Sequence, residues 1–189
     1  MPAGTLRQLM ERAEAMNLAD GKLSVDIDLL PEANAQPLLG SLPGKTKATL
    51  ASAVYDFSLS YAANDGKTAA IAQLAEPIVI RLKADPGINP KLAGIYRLRD
   101  NGEPEYIGGA YENGEWVSQV SEFGKYAVIE TVWQFRDVPS GYWAENVIQE
   151  LAAKQIVNGT DEASFEPGRA VSRAEFTALL VRALKLTET

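Results

Sequence analysis

Arg173 stands where a helix gains nothing from a cation. Ser172 and Glu175 are three residues apart, the spacing of a capping box. In that motif a hydroxyl accepts from an orphan N–H and a carboxylate reaches back to the cap's own N–H. Phe176, Leu179, Leu180, Ala183 and Leu184 come next with helical spacing, so Arg173 is the first residue inside the expected helix. Its charge opposes the positive end of the macrodipole, at ~0.3–1 kcal/mol if exposed. The same helix end offers free N–H groups, so an arginine there can build a site for an anion. The alternative is a solvated arginine with no task.

Other chemistry is narrow. The 189 residues contain no histidine and no cysteine. Ser-His-Asp triads, thiol nucleophiles, disulfides and His-bearing zinc sites are therefore excluded. There is no P-loop, and Ile107-Gly108-Gly109-Ala110 lacks the spacing of a dinucleotide-binding turn. What survives is glycoside hydrolysis by paired carboxylates. Asp26 and Asp28 share a strand face, but that alternation reads as the solvent side of an amphipathic strand. The expectation is a non-enzyme without cofactor or metal.

The elements that must position Arg173 form a helix–loop–helix unit. Phe135-Arg136-Asp137-Val138-Pro139 opens it, and Trp143, Val147, Ile148 and Leu151 fall on one face of a first helix running to about Lys154. Asn158-Gly159 stops the chain with a residue able to take positive φ. Phe165 and Pro167-Gly168 lie in the loop before the capping box. Two matching apolar stripes predict a helical hairpin, with Phe165 closing one end.

The run Phe135-Arg136-Asp137-Val138-Pro139, Tyr142-Trp143-Ala144, Ile156-Val157-Asn158-Gly159, Phe165-Glu166-Pro167-Gly168 and Val171-Ser172-Arg173-Ala174-Glu175 resembles one S-layer homology (SLH) repeat. Such repeats attach secreted proteins non-covalently to the bacterial cell wall. Their usual ligand is an anionic secondary cell-wall polysaccharide, often carrying pyruvate ketals. The family's signature is Thr-Arg-Ala-Glu, and Ser172 stands in for its threonine with capping intact. The resemblance implies that Arg173 binds the carboxylate while Ser172 and Glu175 hold the helix end that presents it. It also implies a tryptophan near the glycan groove, and here Trp143 has two readings, a core residue or a ligand platform. Asp137 either caps the first helix or orients Arg173. Gly159 terminates a helix or gives a sugar access to backbone.

SLH repeats usually come in threes, with ligand grooves between neighbours, yet no second Phe-x-Asp-Val-Pro or Arg-Ala-Glu occurs. Two short helices have too little core for a full groove. Further repeats are expected in cis, beyond Thr189 in a longer parent, or in trans as a trimer. Met1-Pro2-Ala3-Gly4 lacks the pattern of a signal peptide, although a wall-binding protein must be exported, so the chain reads as a cut-out piece. No apolar run approaches the ~18 residues of a membrane span. The net charge of −7 argues against nucleic acid or an anionic membrane as partner. Any anion must then be captured locally. The implied setting is extracellular, at the cell wall or S-layer, and the lack of cysteine fits a Gram-positive surface.

Residues 22–131 read differently. Ser24 to Leu29 and Val54 to Tyr61 alternate polar and apolar, and Ile78 to Lys83, Ile95 to Leu98, Trp116 to Val120 and Tyr126 to Glu130 are further strand candidates. Asp100-Asn101-Gly102 and Glu112-Asn113-Gly114-Glu115 are hairpin signals. Gly44 to Ala53 is expected to be a short helix entered through Pro43. Leu6, Leu9, Met10, Ala13 and Met16 predict an amphipathic helix within residues 1–21. The expected fold is α+β, with a mainly antiparallel β-sandwich over 22–131 and a small helix–loop–helix repeat over 132–189. The β part is similar to modules that precede SLH repeats in wall proteins and polysaccharide-degrading enzymes, carried by Glu76-Pro77-Ile78-Val79-Ile80, Ile95-Tyr96-Arg97-Leu98 and Glu122-Phe123-Gly124-Lys125-Tyr126-Ala127-Val128. Such modules are generally spacers. The function implied is wall anchoring. The alternatives are a piece of an S-layer lattice, or the end of a wall-anchored enzyme whose lone repeat binds nothing.

Overall fold

The computed structural model describes residues 3–15, 21–39, 46–64, 66–99, 104–161, 163–184 and 186. An N-terminal helix α1 (Ala3–Ala15) leads into strand β1 (Gly21–Leu30), the short helix α2 (Glu32–Ala35) and a 3-10 turn over Gln36–Leu39. Strands β2 (Thr46–Leu50), β3 (Val54–Ala63), β4 (Thr68–Ile71), β5 (Gln73–Lys83) and β6 (Ala93–Leu98) come after it. The β part closes with β7 (Pro104–Gly108), β8 (Ala110–Glu112), β9 (Glu115–Glu122) and β10 (Gly124–Trp133). Helices α3 (Glu145–Ala153) and α4 (Arg173–Leu184) complete the described elements.

The described strands pair antiparallel in two sheets. The larger runs β1-β3-β10-β6-β7, with β2 also on β10 and β4 also on β3. The smaller runs β5-β9-β8. Ile80, Leu82, Trp116 and Val120 of the small sheet meet Ile95, Tyr126 and Val128 of the large one. On the large sheet's other face, Val54, Tyr96, Leu98, Ala127 and Ile129 are covered by Ala35, Leu38 and Leu39. Strand β6 is therefore buried at all six positions, because both of its faces are roofed. Arg97 is the cation in that strand, and Glu105 at 2.7 Å and Glu122 satisfy its guanidinium where the sandwich edge opens.

The β8–β9 hairpin turns at Asn113 (φ 52°) and Gly114 (φ 86°), the paired positive angles that make Asn-Gly the favoured tight turn. The companion signal at Asn101-Gly102 lies outside the described residues. Thr46 to Leu50 is strand β2, correcting the helix expected over Gly44 to Ala53. Thr46, Ala48 and Leu50 point inward while Lys47 and Thr49 point out, and pairing with β10 satisfies the backbone. A proline ahead of a segment is compatible with a helix or a strand, and here the pairing partner decides. In α1, Thr5 and Ala13 are buried while Met10 is 63% exposed, so within the expected stripe Ala13 packs inward and Met10 does not; Met16 lies outside the described residues.

Past Trp133 the described chain holds helices and loops. Trp133, Phe135, Val138, Ile148 and Ala152 form a separate small core, joined by Val157 and Phe165. Gln149 docks α3 by accepting from the Trp133 N–H at 3.0 Å and donating to the Trp133 carbonyl. The Tyr96 hydroxyl donates to the Ala153 carbonyl at 3.0 Å, tying the last turn of α3 to β6. The expected helical hairpin does not form. Helix α3 packs on β10, whereas α4 buries no residue and leaves Phe176 and Leu184 more than half exposed. Phe165 joins the α3 core, 5.3 Å from the Phe135 ring.

Candidate functional site

Helix α4 begins at Arg173 with its capping box closed. Ser172 Oγ accepts from the Glu175 N–H at 3.3 Å, and Glu175 Oε2 accepts from the Ser172 N–H at 2.8 Å. The unforeseen member is Arg169, which grips the Glu175 carboxylate from the preceding turn and reaches Glu166 at 3.2 Å. The hydrogen bond from Arg169, then that from the Ser172 N–H, pushes the Glu175 carboxyl down to about 2. Arg169 is therefore spent on holding the helix end. Among the described residues 134–184, Arg136, Lys154 and Arg169 sit in ion pairs, while Arg173 and Arg182 do not. Arg173 is exposed at the positive end of α4, as its position in the motif requires.

Asp137 neither caps α3 nor orients Arg173. Its Oδ1 accepts from the Phe165 N–H at 2.9 Å and its Oδ2 from the Glu166 N–H at 2.6 Å. Burial would raise its pKa, but these two backbone donors outweigh it and hold the carboxyl below the usual range. The grip fixes Glu166 in the left-handed region at φ 56° and so shapes the loop that delivers Arg169. Ala144 occupies the N-cap of α3, which has no side-chain cap.

Helix α3 also ends earlier than Asn158-Gly159. Gln155 takes φ 54°, its N–H donates to the Ala152 carbonyl, and the Ile156 N–H donates to the Leu151 carbonyl. This is a Schellman ending with glutamine in the glycine position. Gly159 serves space instead. A Cβ there would lie 2.6 Å from the Asp161 carbonyl oxygen and would strike the Ser164 carbonyl. Asp161 in turn accepts from the N–H groups of Ala163 and Ser164 at 2.7 and 2.8 Å, knotting the turn.

Trp143 is 86% exposed, so the core reading is corrected. The helix starts at Glu145, which puts residue 143 in a turn outside the helical register, with its ring 5.8 Å from that of Tyr142. Val147 is 58% exposed as well, and Ile148 and Ala152 do the packing.

An open groove of about 770 Å³ runs between the 157–169 loop and α4, with Gly159, Glu166, Arg169, Leu179 and Arg182 in its wall. Of the four residues singled out from sequence, Gly159 lines this groove and Asp137 braces its wall. Arg173 and Trp143 lie outside the lining. Arg182 is a second cation, after Arg169, that the sequence did not single out, and its signal was position: it sits seven residues after Glu175, on that residue's side of α4. No metal-ligating cluster of three acidic side chains occurs among the described residues. No described helix is long and apolar enough to cross a membrane.

Comparison with known proteins bears on this arrangement. Residues 134–177 match the S-layer homology domain, and residues 47–130 match the Zu5-like domain. The chain is 31% identical over 118 residues to an amylopullulanase of Thermoanaerobacterium thermosulfurigenes, covering 61% of this chain and 6% of that protein. It is 36% identical over 70 residues to an S-layer protein of Bacillus thuringiensis subsp. finitimus, covering 37% of this chain and 8% of the relative. An outer membrane protein SlpA of Thermus thermophilus is 36% identical over 55 residues, 29% of this chain and 6% of its own. No solved structure matches. The chain thus carries an S-layer homology domain behind a Zu5-like one, and spans under a tenth of the length of these relatives. The matches support cell-wall anchoring in general and a location at the cell surface.

Proposed function

We propose that this chain anchors a secreted protein by binding an anionic, pyruvylated secondary cell-wall polysaccharide through residues 132–189. The observation that carries the reading is the state of Arg173. Its neighbour Arg169 is neutralised by Glu166 and Glu175, whereas Arg173 stands exposed at a capped helix N-terminus, without an ion-pair partner among the described residues. A guanidinium there can hold a ketal carboxylate through two parallel hydrogen bonds, beside the partial positive charge of the helix end. Trp143 offers an exposed ring to a sugar face, Gly159 gives close approach to backbone, and Asp137 keeps the loop in place. The division of labour is 1–21 as a helical lead, 22–131 as a spacer without catalysis and 132–189 as the anchor, although β10 itself continues to Trp133.

The exposed Phe176, Leu180 and Leu184 of α4 favour a second element of the reading. Further repeats, in cis or as a trimer in trans, complete the site, and without them the lone repeat binds weakly or serves as a lattice piece.

The test is co-sedimentation of the chain with purified cell-wall sacculi, before and after chemical removal of the secondary polymer. Binding lost on removal, weakened in Arg173→Ala by about 1.5–3 kcal/mol and partly restored in Arg173→Lys, supports the proposal. Sedimentation that persists after removal, or that ignores Arg173, overturns it.

A further inference from the structure

Strand β1 is the anomaly of the β part. It is an end strand of the large sheet, and among the described residues its outer edge pairs with no strand. Its odd positions form an apolar row that increases in exposure along the strand: Leu23 39%, Val25 51%, Ile27 59% and Leu29 65%. Those residues lie opposite Tyr61, Leu59, Phe57 and Tyr55 of β3, so they continue the face that packs the inner core. The small sheet has three strands against seven, and the core it forms with the large sheet includes no residue of β1. A core-type row therefore stands in water on an open edge. Edges of this kind are normally blunted by proline, a bulge or an inward charge. Strand β1 has no proline, and its ten-residue register with β3 is continuous, without a bulge.

The even positions say what fits. Lys22, Ser24, Asp26 and Asp28 share the opposite face. Two copies of β1 placed antiparallel about a two-fold axis at Val25 bring Lys22 opposite Asp28 of the second copy, and Asp28 opposite its Lys22. Ser24, whose hydroxyl donates to Asp26 Oδ1 of its own strand at 3.0 Å, meets Asp26 of the second copy, polar against polar. On the other face Leu23 meets Ile27, and Val25 meets itself. From Lys22 to Asp28 every pair in this register matches in charge or in polarity, and Gly21 at the end falls opposite Leu29. A slip by one residue would put each polar side chain on the apolar face. The pairing is isologous, so it closes at two copies.

We propose that β1 is a homodimerisation edge, joining two copies of this chain through an antiparallel β1–β1 ladder centred on Val25. The ladder extends the seven-stranded sheet across the dimer. It also sets the two apolar rows side by side, where each shields the flank of the other.

The experiment is sedimentation equilibrium over a concentration series, on the wild type and four variants at exposed positions of β1. The wild type is expected to pass from monomer to dimer through β1. Val25→Lys places like charges on the two-fold axis and is expected to leave a monomer. Lys22→Asp and Asp28→Lys each turn two attractive pairs into repulsive ones and are expected to weaken the dimer by about tenfold or more. The double variant Lys22→Asp/Asp28→Lys restores both pairs and is expected to recover the dimer. Circular dichroism of each variant shows that the sheet is intact. Three results overturn the proposal. One is a wild type that stays monomeric throughout, leaving the edge to a strand of another protein. Another is a species beyond the dimer that Val25→Lys returns to a monomer, as head-to-tail pairing of β1 with β7 would give. The last is a dimer that responds to Val25→Lys but ignores both charge reversals, as face-to-face packing of the apolar rows would.

Discussion

The β part and helix α4 are held by opposite means. Strand β6 is buried at every position and β10 through Tyr126 to Ile129, with rings and aliphatic side chains on both sides of one sheet. Helix α4 buries nothing and is secured at its first turn by Ser172, Glu175 and Arg169. Apolar burial at about 25 cal/mol per Å² gives the first region a stability of its own. The second has hydrogen bonds that fix where the helix starts, and an apolar stripe with nothing upon it. That difference separates a region with a core on both faces of one sheet from a helix whose apolar side is left exposed.

The largest effect should come from the core. Ile95 is fully buried between the sheets, and Ile95→Ala should destabilise the β part by about 2–5 kcal/mol, read as a fall in denaturant midpoint at unchanged slope. Leu184→Ala, the same kind of truncation on the exposed stripe of α4, should change stability by less than about 0.5 kcal/mol. Comparable losses at both positions would erase the contrast and imply that α4 is packed in solution.

Tyr96 is the bridge between the two regions. Burial raises its pKa, and its hydroxyl, at 3.0 Å from the Ala153 carbonyl, is the polar contact that fastens α3 to β6. Tyr96→Phe should cost about 1–2 kcal/mol by orphaning that carbonyl. Hydrogen exchange should show the loss at the end of α3 before it shows in β6. Equal loosening of both would mean the two regions unfold as one unit.

How much of this was legible depends on the reach of each interaction. The alternation in β1 and β3 reported strands, and the three-residue spacing of Ser172 and Glu175 reported a cap, because both are local. Strand β7 escaped notice: its Pro104 to Gly108 stretch has no clean alternation, and it is defined by pairing with β6. Strand β2 had its period-two pattern in Thr46, Ala48 and Leu50, outweighed by the proline before it. The role of Asp137 could not be read, since its donors lie 28 and 29 residues away. Arg169 was hidden for a related reason, as its bond to Glu175 spans a loop and a helix start. The helix-face reading of Trp143 failed on a boundary of two residues, enough to turn a core position into an exposed ring.

The cap itself carries the next prediction. Ser172→Ala removes the acceptor for the Glu175 N–H and should cost the helix about 0.5–2 kcal/mol, measured as lost ellipticity and a lowered melting temperature of the helical segment. The same box sets an acid limit. The Glu175 carboxyl is held at about 2 in the folded chain, below its ordinary value, so its contribution is full above that ordinary value. The contribution falls as pH drops toward 2. Asp137 and Asp161 are shifted the same way, the first against its own burial, the second chiefly by the Ala163 N–H. Helical signal should therefore fade across that window. A helix indifferent to pH from 5 to about 2 would sink the cap account.

The smallest effect should be at Arg173, and its smallness is the informative part. The guanidinium makes no ion pair among the described residues and faces the positive end of α4, so removing it deletes no stabilising contact and relieves a dipole conflict. Arg173→Ala should leave the melting temperature within the equivalent of about 0.5 kcal/mol, or raise it slightly. Arg169→Ala, four residues earlier, should behave in the opposite way, since it strips Glu175 of its partner and loosens the turn that Asp137 braces. Two arginines in one motif would then separate cleanly, one holding the helix end and the other presented by it. If Arg173→Ala unfolds α4 while Arg169→Ala does not, the roles are reversed, and the exposed cation belongs to the scaffold.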